Sequence, residues 1–247
     1  MIPKIIHYCW LSGEPYPELI KKCLDSWKVH LPDYKFELWD LAKVQNIDSE
    51  WLRQTIAVKK YAFAADFIRV YALSHFGGVY LDADVELAGS LDPFIRNDFF
   101  IGYEYNNDLE PAVFGSVAGH QWLSDLLGYY QDRPFIKIDG EQDIRTLPSI
   151  FNETAAIRFG FKSNGKMQEI KNPSVKIYPC DFFSPKNIYF KKIKRTGNTV
   201  AIHHFHGSWY KKTNMMILKQ IFHQFLYLIG GKSFHNQFIQ IIRRISK

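Results

Sequence analysis

The sequence predicts an α/β fold with a mostly parallel central sheet, covered by helices, and a C-terminal helical tail. Short apolar stretches of β-type composition alternate with longer stretches of helical spacing at the start of the chain. This strand-helix-strand-helix-strand order is typical of parallel sheets, whose ligand sites lie at the carboxyl ends of the strands. The length of 247 residues and the hydrophobic content of 47% suit one large core.

The first half of the chain supplies the alternation. Pro17 suits the first turn of a helix, and Gly77-Gly78 is a signal for the end of one. The predicted elements are a strand at 2–8, a helix at 17–30, a strand at 34–39, a helix at 52–76 and a strand at 79–81.

The second half is less regular. Its predicted elements are strands at 99–103, 112–116, 175–178 and 199–205 and a helix at 120–130. From Met215 onward, apolar residues recur in two helical pieces separated by Gly230-Gly231. We therefore expect one domain over residues 1–213 and a basic amphipathic helical tail over 214–247. The tail either packs on the domain or lies on a membrane surface.

Charge is distributed unevenly along the chain. All 25 Asp and Glu residues lie at or before Asp181, and 12 of the 31 Lys and Arg residues follow it. The first 181 residues, with 19 basic and 25 acidic side chains, carry −6, and the last 66 carry +12. This pattern is typical of an acidic, site-bearing body with a basic surface for nucleic acid, anionic lipid or phosphorylated ligands.

Cysteine content and hydropathy predict the compartment. Three cysteines without metal-ligand spacing indicate neither a disulfide framework nor a zinc site. No stretch is apolar enough for a secretory signal or a membrane span. We expect a cytoplasmic protein.

Asp82 and Asp84 are the first candidate site. They directly follow an apolar strand, and the single residue between them lets both carboxylates point to the same side. Paired carboxylate oxygens at a strand end suit Mg²⁺ or Mn²⁺ carrying a diphosphate, although a solvated turn is the alternative.

Asp66 and Arg69 form a second candidate pair, three residues apart on a predicted helix. An ordinary surface ion pair is one interpretation. The apolar residues before Asp66 favour another, in which a buried carboxylate binds sugar hydroxyls and Arg69 orients it or contacts a phosphate.

The third element is His203-His204-Phe205-His206-Gly207-Ser208-Trp209, at the end of the last predicted strand. Strand alternation places His204 and His206 on one side and His203 on the other. A histidine here can complete a carboxylate shell around Mn²⁺, and Ser208 and Trp209 can close over the donor phosphates. Histidines hydrogen-bonded within the fold are the alternative.

Four blocks occur in order along the chain. They are Ile-Pro-Lys-Ile-Ile-His-Tyr-Cys-Trp at 2–10, Ala-Ala-Asp-Phe-Ile-Arg at 64–69, Gly-Gly-Val-Tyr-Leu-Asp-Ala-Asp at 77–84 and His-His-Phe-His-Gly-Ser-Trp at 203–209. Together they resemble the sugar-nucleotide glycosyltransferases with a DXD motif, and most closely the bacterial capsular-polysaccharide branch of glycosyltransferase family 32. The resemblance implies a GT-A, Rossmann-like fold. It also implies retaining transfer from a nucleoside diphosphate sugar, with UDP expected and Mn²⁺ or Mg²⁺ as cofactor.

The same resemblance implies roles for individual residues. It assigns His7, Tyr8 and Trp10 to the nucleotide, Asp66 and Arg69 to the donor sugar, Asp82 to ribose and metal-bound water, Asp84 to direct metal ligation and His204 to the third metal position. Asp82, Asp84 and Arg69 are thus the expected catalytic residues, since the metal and Arg69 stabilise charge on the departing UDP. Glu141 and Asp143 are candidates for positioning the acceptor hydroxyl, with a solvated loop as the alternative.

The expected partners are a UDP-sugar donor, an oligosaccharide or lipid-linked saccharide acceptor in cell-surface polysaccharide or capsule synthesis, and the inner membrane surface. Nucleic acid is the least expected. A haloacid-dehalogenase phosphatase also places Asp-x-Asp after an apolar strand, but has Thr or Val where Glu86 stands in this chain. A noncatalytic sugar- or lipid-binding protein is the third class. The four blocks together favour the glycosyltransferase.

Overall fold

The computed structural model describes residues 1–207 and 214–245, and its centre is a seven-stranded sheet. The strands are β1 (Ile5–Cys9), β2 (Lys35–Trp39), β3 (Gly78–Leu81), β4 (Val85–Leu87), β5 (Phe99–Tyr103), β6 (Leu109–Ser116), β7 (Gln168–Lys171), β8 (Ser174–Tyr178) and β9 (Ala201–His203). The helices are α1 (Glu18–His30), α2 (Leu41–Val44), α3 (Glu50–Ala57), α4 (Tyr61–Phe76), α5 (Gln121–Tyr130), α6 (Leu147–Phe159), α7 (Cys180–Phe183) and α8 (Asn214–Ile245).

The central sheet has the strand order β2-β1-β3-β6-β5-β8-β7. Strands β1, β2, β3, β5 and β8 run in one direction, and β6 and β7 run in the other. The α/β class with a mostly parallel sheet is therefore confirmed. Strands β4 and β9 form a separate antiparallel pair.

Apolar side chains cover both faces of the sheet. On one face, α4, α5 and α6 bury residues such as Ile68, Trp122 and Phe151. On the other, Trp27 of α1 packs in a cluster with Leu81 and residues of β4. Helix α4 is buried around most of its circumference, so Arg69 on this helix lies in the interior rather than in solvent.

A close approach of two strands fixes the start of β3. Gly78 has φ of 112°, and a Cβ there would lie 2.7 Å from the Ile5 carbonyl oxygen. Only glycine permits both features. The pairing of β3 beside β1 in turn places the residues after Leu81 at the carboxyl end of the sheet.

Several predicted boundaries are wrong, and among them the strands predicted at 2–8 and 112–116 begin at Ile5 and Leu109. The helix predicted at 52–76 is two helices, α3 and α4, because the chain turns between them at Lys59, which has a positive φ of 56°. The strand predicted at 199–205 ends at His203, because its partner β4 is only three residues long. Helix α6 has no counterpart among the predicted elements.

The C-terminal helix α8 is interrupted at Gly231, whose φ of 67° and ψ of −171° are not helical. The break predicted at Gly230-Gly231 is thus confirmed, and the division of the chain at residue 213 stays a prediction. Among the described residues, no helix has a segment of the length and hydropathy needed to cross a bilayer.

Candidate active site

A cleft of about 1440 Å³ opens at the carboxyl ends of β1 and β3. Because β6 is antiparallel to β3, its first residues reach the same edge. The first turns of α6, from Thr146 to Asn152, form another wall. The cleft therefore lies where the strand-helix alternation of the sequence predicts a ligand site.

The Asp-x-Asp turn lies at the floor of this cleft. The Asp82 amide donates to the Ala112 carbonyl at 2.9 Å, and the Val85 amide donates to the Asp82 carbonyl at 2.9 Å. These bonds hold a tight turn directly after β3. Both Asp82 and Asp84 line the cleft, as the spacing predicts.

Arg69 crosses from α4 to the floor of the cleft. Its Nη2 lies 3.1 Å from Asp82 Oδ1 and 3.3 Å from Asp66 Oδ1, and its Nη1 donates to the Pro111 carbonyl at 2.9 Å. The Tyr80 hydroxyl donates to Asp82 Oδ1 at 3.1 Å. Arg69 therefore belongs to a buried network of ion pairs and hydrogen bonds. The interpretation of Asp66 and Arg69 as an ordinary surface ion pair is wrong.

Asp66 joins two helices. Its Oδ2 accepts from the Leu147 amide, the first residue of α6, at 3.3 Å. Thr146, which precedes that helix, makes no side-chain cap bond. A carboxylate from α4 thus caps α6, whose amide end also favours negative charge. Asp66 lines the cleft at the same time.

A histidine next to the carboxylates was misassigned by sequence. His203 Nε2 lies 3.3 Å from Asp84 Oδ1 and 4.0 Å from Asp82 Oδ2. His204, the residue predicted to ligate metal, pairs with Glu86 Oε2 at 2.9 Å instead. The resemblance assigned the metal position to His204, whereas strand alternation separates the two histidines, and the structure turns His203 toward the carboxylates and His204 toward Glu86. His206 contributes its backbone amide, which donates to Asp84 Oδ2 at 2.7 Å.

Glu110, which sequence reasoning missed, stands behind His203. Its Oε2 lies 3.6 Å from His203 Nδ1, just beyond hydrogen-bond distance. Within the described residues, His203 Nδ1 is buried without a hydrogen-bond partner. The signal for Glu110 is an acid inside an apolar strand, but the predicted strand begins only at residue 112.

Burial and pairing shift the pKa values of these groups in opposite directions. Burial raises the pKa of Asp66 to about 6 despite the Arg69 guanidinium, and burial also raises the pKa of Asp82. For Asp84, burial acts upward, but His203 and the His206 amide hold its pKa below the usual range. Although burial opposes the charge on His203, Asp84 and Glu110 raise its pKa well above 6.5.

The donor set fits a divalent cation. Asp82, Asp84 and His203 each offer one ligand atom within 4.8 Å of the other two. Ligating imidazoles commonly present their second ring nitrogen to a carboxylate, and Glu110 is placed for this role at the otherwise unpartnered Nδ1. Carboxylates suit Mg²⁺ and Mn²⁺, and the added imidazole shifts the set toward Mn²⁺.

The three residues predicted to contact the nucleotide lie in different environments, and only one of them lines the cleft. Trp10 lines the cleft at the end of β1. His7 does not, because it lies in the middle of β1, is 1% exposed and contacts the Gly77 carbonyl and Trp39. Tyr8 packs edge-on against Trp27, with ring centroids 5.3 Å apart, and is not among the lining residues.

The predicted acceptor residues are also away from the cleft. Asp143 Oδ2 binds Arg133 Nη1 at 2.9 Å and the Tyr129 hydroxyl at 3.1 Å, so it stabilises its own loop. Glu141 is exposed and pairs with Lys137. Neither lines the cleft. Ser208 and Trp209 lie outside the described residues.

Residues 17–101 match the family described as "Glycosyltransferase sugar-binding region containing DXD motif". The matched segment contains Asp66, Arg69, Asp82 and Asp84. This part of the chain is similar to the sugar-binding region of DXD-type glycosyltransferases. Glu110 and His203 lie beyond the matched segment.

The chain is also similar, over about three quarters of its length, to two known proteins. Mannosyl phosphorylinositol ceramide synthase SUR1 of Saccharomyces cerevisiae is 33% identical over 197 residues, which cover 74% of this chain and 50% of that protein. An uncharacterized glycosyltransferase of Acanthamoeba polyphaga mimivirus is 26% identical over 197 residues, covering 76% of this chain and 77% of that protein. The chain thus spans about half the length of the yeast relative.

Among solved structures, the PaToxG glycosyltransferase is 20% identical with a TM-score of 0.49, covering 64% of this chain and 70% of that chain.

The yeast relative is named for a mannosyl inositol-phosphate ceramide product. The resemblance to the bacterial capsular branch is a finer assignment, and it stays a prediction.

Proposed function

We propose that this chain is a metal-dependent glycosyltransferase, which moves a hexose from a nucleoside diphosphate donor to a hydroxyl group of the acceptor. One observation carries the proposal. The Asp82, Asp84 and His203 ligand atoms converge in a large cleft beside the Asp66–Arg69 pair. Four of these five residues lie inside the matched sugar-binding region.

The residues have distinct tasks in this proposal. Asp84, Asp82 and His203 hold the cation, which when bound neutralises charge developing on the diphosphate leaving group. Arg69 adds a fixed positive charge within 3.4 Å of both Asp82 oxygens, and thereby holds that carboxylate in place. Because the site is largely buried, such preoriented charges act more strongly than they would in water.

Asp66 is the proposed ligand of donor-sugar hydroxyls. Its Oδ1 faces Arg69 and its Oδ2 the α6 amide, so the carboxylate is rigidly oriented at the cleft surface. Carboxylate acceptors fixed in this way suit hydroxyl donors. Trp10, which also lines the cleft, supplies an apolar surface for the nucleotide base or sugar.

The finer assignments rest on resemblance and on the names of relatives. We propose UDP as the carrier and retention of anomeric configuration in a GT-A fold, as the four sequence blocks imply. Because the yeast relative is named for a mannosyl product, we include GDP-linked hexoses beside UDP-linked hexoses among the donors to compare. For the acceptor we propose a lipid-linked saccharide or glycolipid, in cell-surface polysaccharide synthesis.

A phosphatase mechanism fits the site less well. It requires one carboxylate of the Asp-x-Asp pair to act as a free nucleophile. Asp82 Oδ1 accepts from both Arg69 and Tyr80. Asp84 is paired with His203 and the His206 amide. Carboxylates held in this way are better ligands than nucleophiles.

The test is a panel of UDP-hexoses and GDP-hexoses, incubated with the chain and Mn²⁺, Mg²⁺ or EDTA. We expect release of nucleoside diphosphate from one donor, dependent on the cation and faster with a glycolipid acceptor. Release of phosphate from simple phosphomonoesters without any sugar donor would favour the phosphatase. No cation-dependent turnover of any donor would contradict the proposal.

A further inference from the structure

Helix α8 exposes an apolar stripe that the glycosyl-transfer site does not use. We propose that this stripe, together with the neighbouring basic loop 191–195, docks the protein on an anionic bilayer surface. The inference does not depend on the transfer reaction, since no residue of the stripe or of the loop is among those that line the cleft. Charge alone predicts a membrane contact, and the structure identifies the residues that would make it.

The stripe occupies one side of the helix. Its members recur at intervals of three and four residues, which is the repeat of a single α-helical face. Their exposure runs from 46% at Phe222 to 75% at Leu228, so none is a core residue. The stripe consists of Leu218, Ile221, Phe222, Phe225, Leu228 and Ile229.

The opposite side of α8 is attached to the body. Leu226 is buried, the Tyr227 hydroxyl lies 2.6 Å from the Tyr105 hydroxyl, and Gln224 Nε2 donates to the Tyr189 carbonyl at 2.8 Å. His235, beyond the kink, is fully buried and lies 3.0 Å from His223. The helix is therefore held with its stripe outward. Of the two alternatives predicted for the tail, packing on the body is seen in α8, and membrane contact is the part proposed here.

A basic loop directly follows two residues that contact α8. Residues 191–195, Lys-Lys-Ile-Lys-Arg, are all exposed, and they follow Tyr189 and Phe190, whose rings contact His223 and Tyr227 of α8. Between residues 182 and 247 the sequence contains 12 Lys and Arg and no Asp or Glu. An exposed apolar stripe in a wholly basic segment matches an interfacial helix on anionic lipid.

The charge pattern selects a bilayer over a second copy of the chain. Pairing two copies of this segment would bring together two surfaces of the same sign, which costs electrostatic free energy. An anionic lipid surface attracts the loop and accepts the apolar side chains in its acyl boundary. It satisfies both features at once.

Vesicle co-sedimentation with the full chain tests the apolar part. We expect binding to phosphatidylcholine vesicles containing phosphatidylglycerol, and at least about tenfold weaker binding by the double variant Phe225→Glu with Leu228→Glu. Val29→Glu, which changes an equally exposed apolar residue on α1, is the matched control and should bind like wild type. Circular dichroism and melting curves should show that all three proteins are folded.

The basic part is tested by neutralising Lys191, Lys192 and Lys194 together. Each basic residue near an anionic surface increases the affinity for that surface about fivefold. The triple alanine variant should therefore bind the vesicles roughly 100-fold more weakly than wild type. Lys21, Lys28 and Lys166, exposed elsewhere, form the control triple alanine variant and should leave binding unchanged.

Three outcomes would overturn the proposal. One is the absence of wild-type binding to anionic vesicles. Another is equal binding by wild type and the double glutamate variant. The third is a wild-type dimer that the double variant converts to monomer while vesicle binding stays the same, which would assign the stripe to a second copy.

Discussion

The cleft and helix α8 depart from the usual distribution of residues in opposite ways. In the cleft, Asp66, Arg69, Asp82, Asp84 and His203 are charged or titratable groups with side-chain exposures of 24% or less. On α8, the six apolar side chains of the stripe are each at least 46% exposed. Burying charge and exposing hydrophobic surface both cost free energy unless something else compensates.

The difference between the two regions shows that each contains groups that a binding partner outside the chain would stabilise, and that the two partners differ in chemistry. The five cleft residues named above comprise three carboxylates, one guanidinium and one imidazole, and His203 Nδ1 is buried without a hydrogen bond among the described residues. Such a group is completed by a cation and a polar ligand. The stripe on α8 is completed by an apolar medium bordered by negative charge. Each region therefore predicts which substitutions matter and which do not.

The largest expected effect concerns the cation. Asp84→Asn removes one negatively charged ligand, and we expect sugar transfer to fall on the order of 1,000-fold while the fold is retained. Steady-state assays with the preferred donor measure this. Asp139→Asn, in an exposed loop, is the matched control. Full activity of the Asp84 variant would mean that this buried carboxylate does not serve the reaction as a metal ligand.

Two phenylalanines sharpen the contrast between core and stripe. Phe114 is fully buried in the sheet, so Phe114→Ala should lower the free energy of unfolding by about 3–5 kcal/mol. Phe225 is 59% exposed, and Phe225→Ala should change the free energy of unfolding by less than about 0.5 kcal/mol. Urea denaturation gives both values. A large loss for Phe225→Ala would mean that the stripe is needed for folding rather than for docking.

The buried Asp66 carboxyl predicts a dependence of stability on pH. Its folded-state pKa of about 6 exceeds the ordinary value of 3.8, so the folded protein binds this proton more tightly than the unfolded chain. The associated stability is fully present below about pH 4 and is lost as the pH rises through 6. The loss is roughly 3 kcal/mol, since the two pKa values differ by about two.

Asp66→Asn provides the comparison, because an amide keeps an acceptor for the Leu147 amide without the charge. Urea denaturation of the metal-free proteins between pH 4 and 8 should show a flatter profile for the variant than for wild type. Parallel profiles would indicate that ionisation of Asp66 in the cleft does not lower the free energy of unfolding. That result would argue against a cleft that buried charge destabilises.

A smaller effect on the cation site is expected for Glu110, behind His203. Glu110→Gln keeps the side-chain shape but removes the carboxylate next to His203 Nδ1, and we expect Mn²⁺ affinity to fall about 10–100-fold. Titration with Mn²⁺ in the absence of donor measures this directly. Glu169→Gln, exposed on β7, should have no effect. Unchanged affinity in the Glu110 variant would show that His203 needs no such support.

Sequence reasoning succeeded where the signal is local. The Asp-x-Asp turn follows directly from an apolar strand that begins at a glycine pair, and the Asp66–Arg69 spacing follows from one helix. Both lie in the cleft as predicted. The cytoplasmic location stays a prediction, as does the division into domain and tail.

It failed where position depends on a distant partner. The choice between His203 and His204 is made by the register of β9 against β4, which pairs His203 with Val85. His7 was placed at the nucleotide by resemblance, but mid-strand position and contact with Trp39 keep it in the interior. Glu110 needed the antiparallel course of β6, and nothing local indicates that reversal.

The central claim is that the cleft binds a divalent cation and a nucleoside diphosphate together. Calorimetric titration of UDP and of GDP into the wild-type chain, with Mn²⁺ and with EDTA, tests it most directly. We expect one nucleotide to bind at least about tenfold more tightly with Mn²⁺, and Asp84→Asn to abolish the difference. Equal nucleotide affinity with Mn²⁺ and with EDTA would contradict the claim.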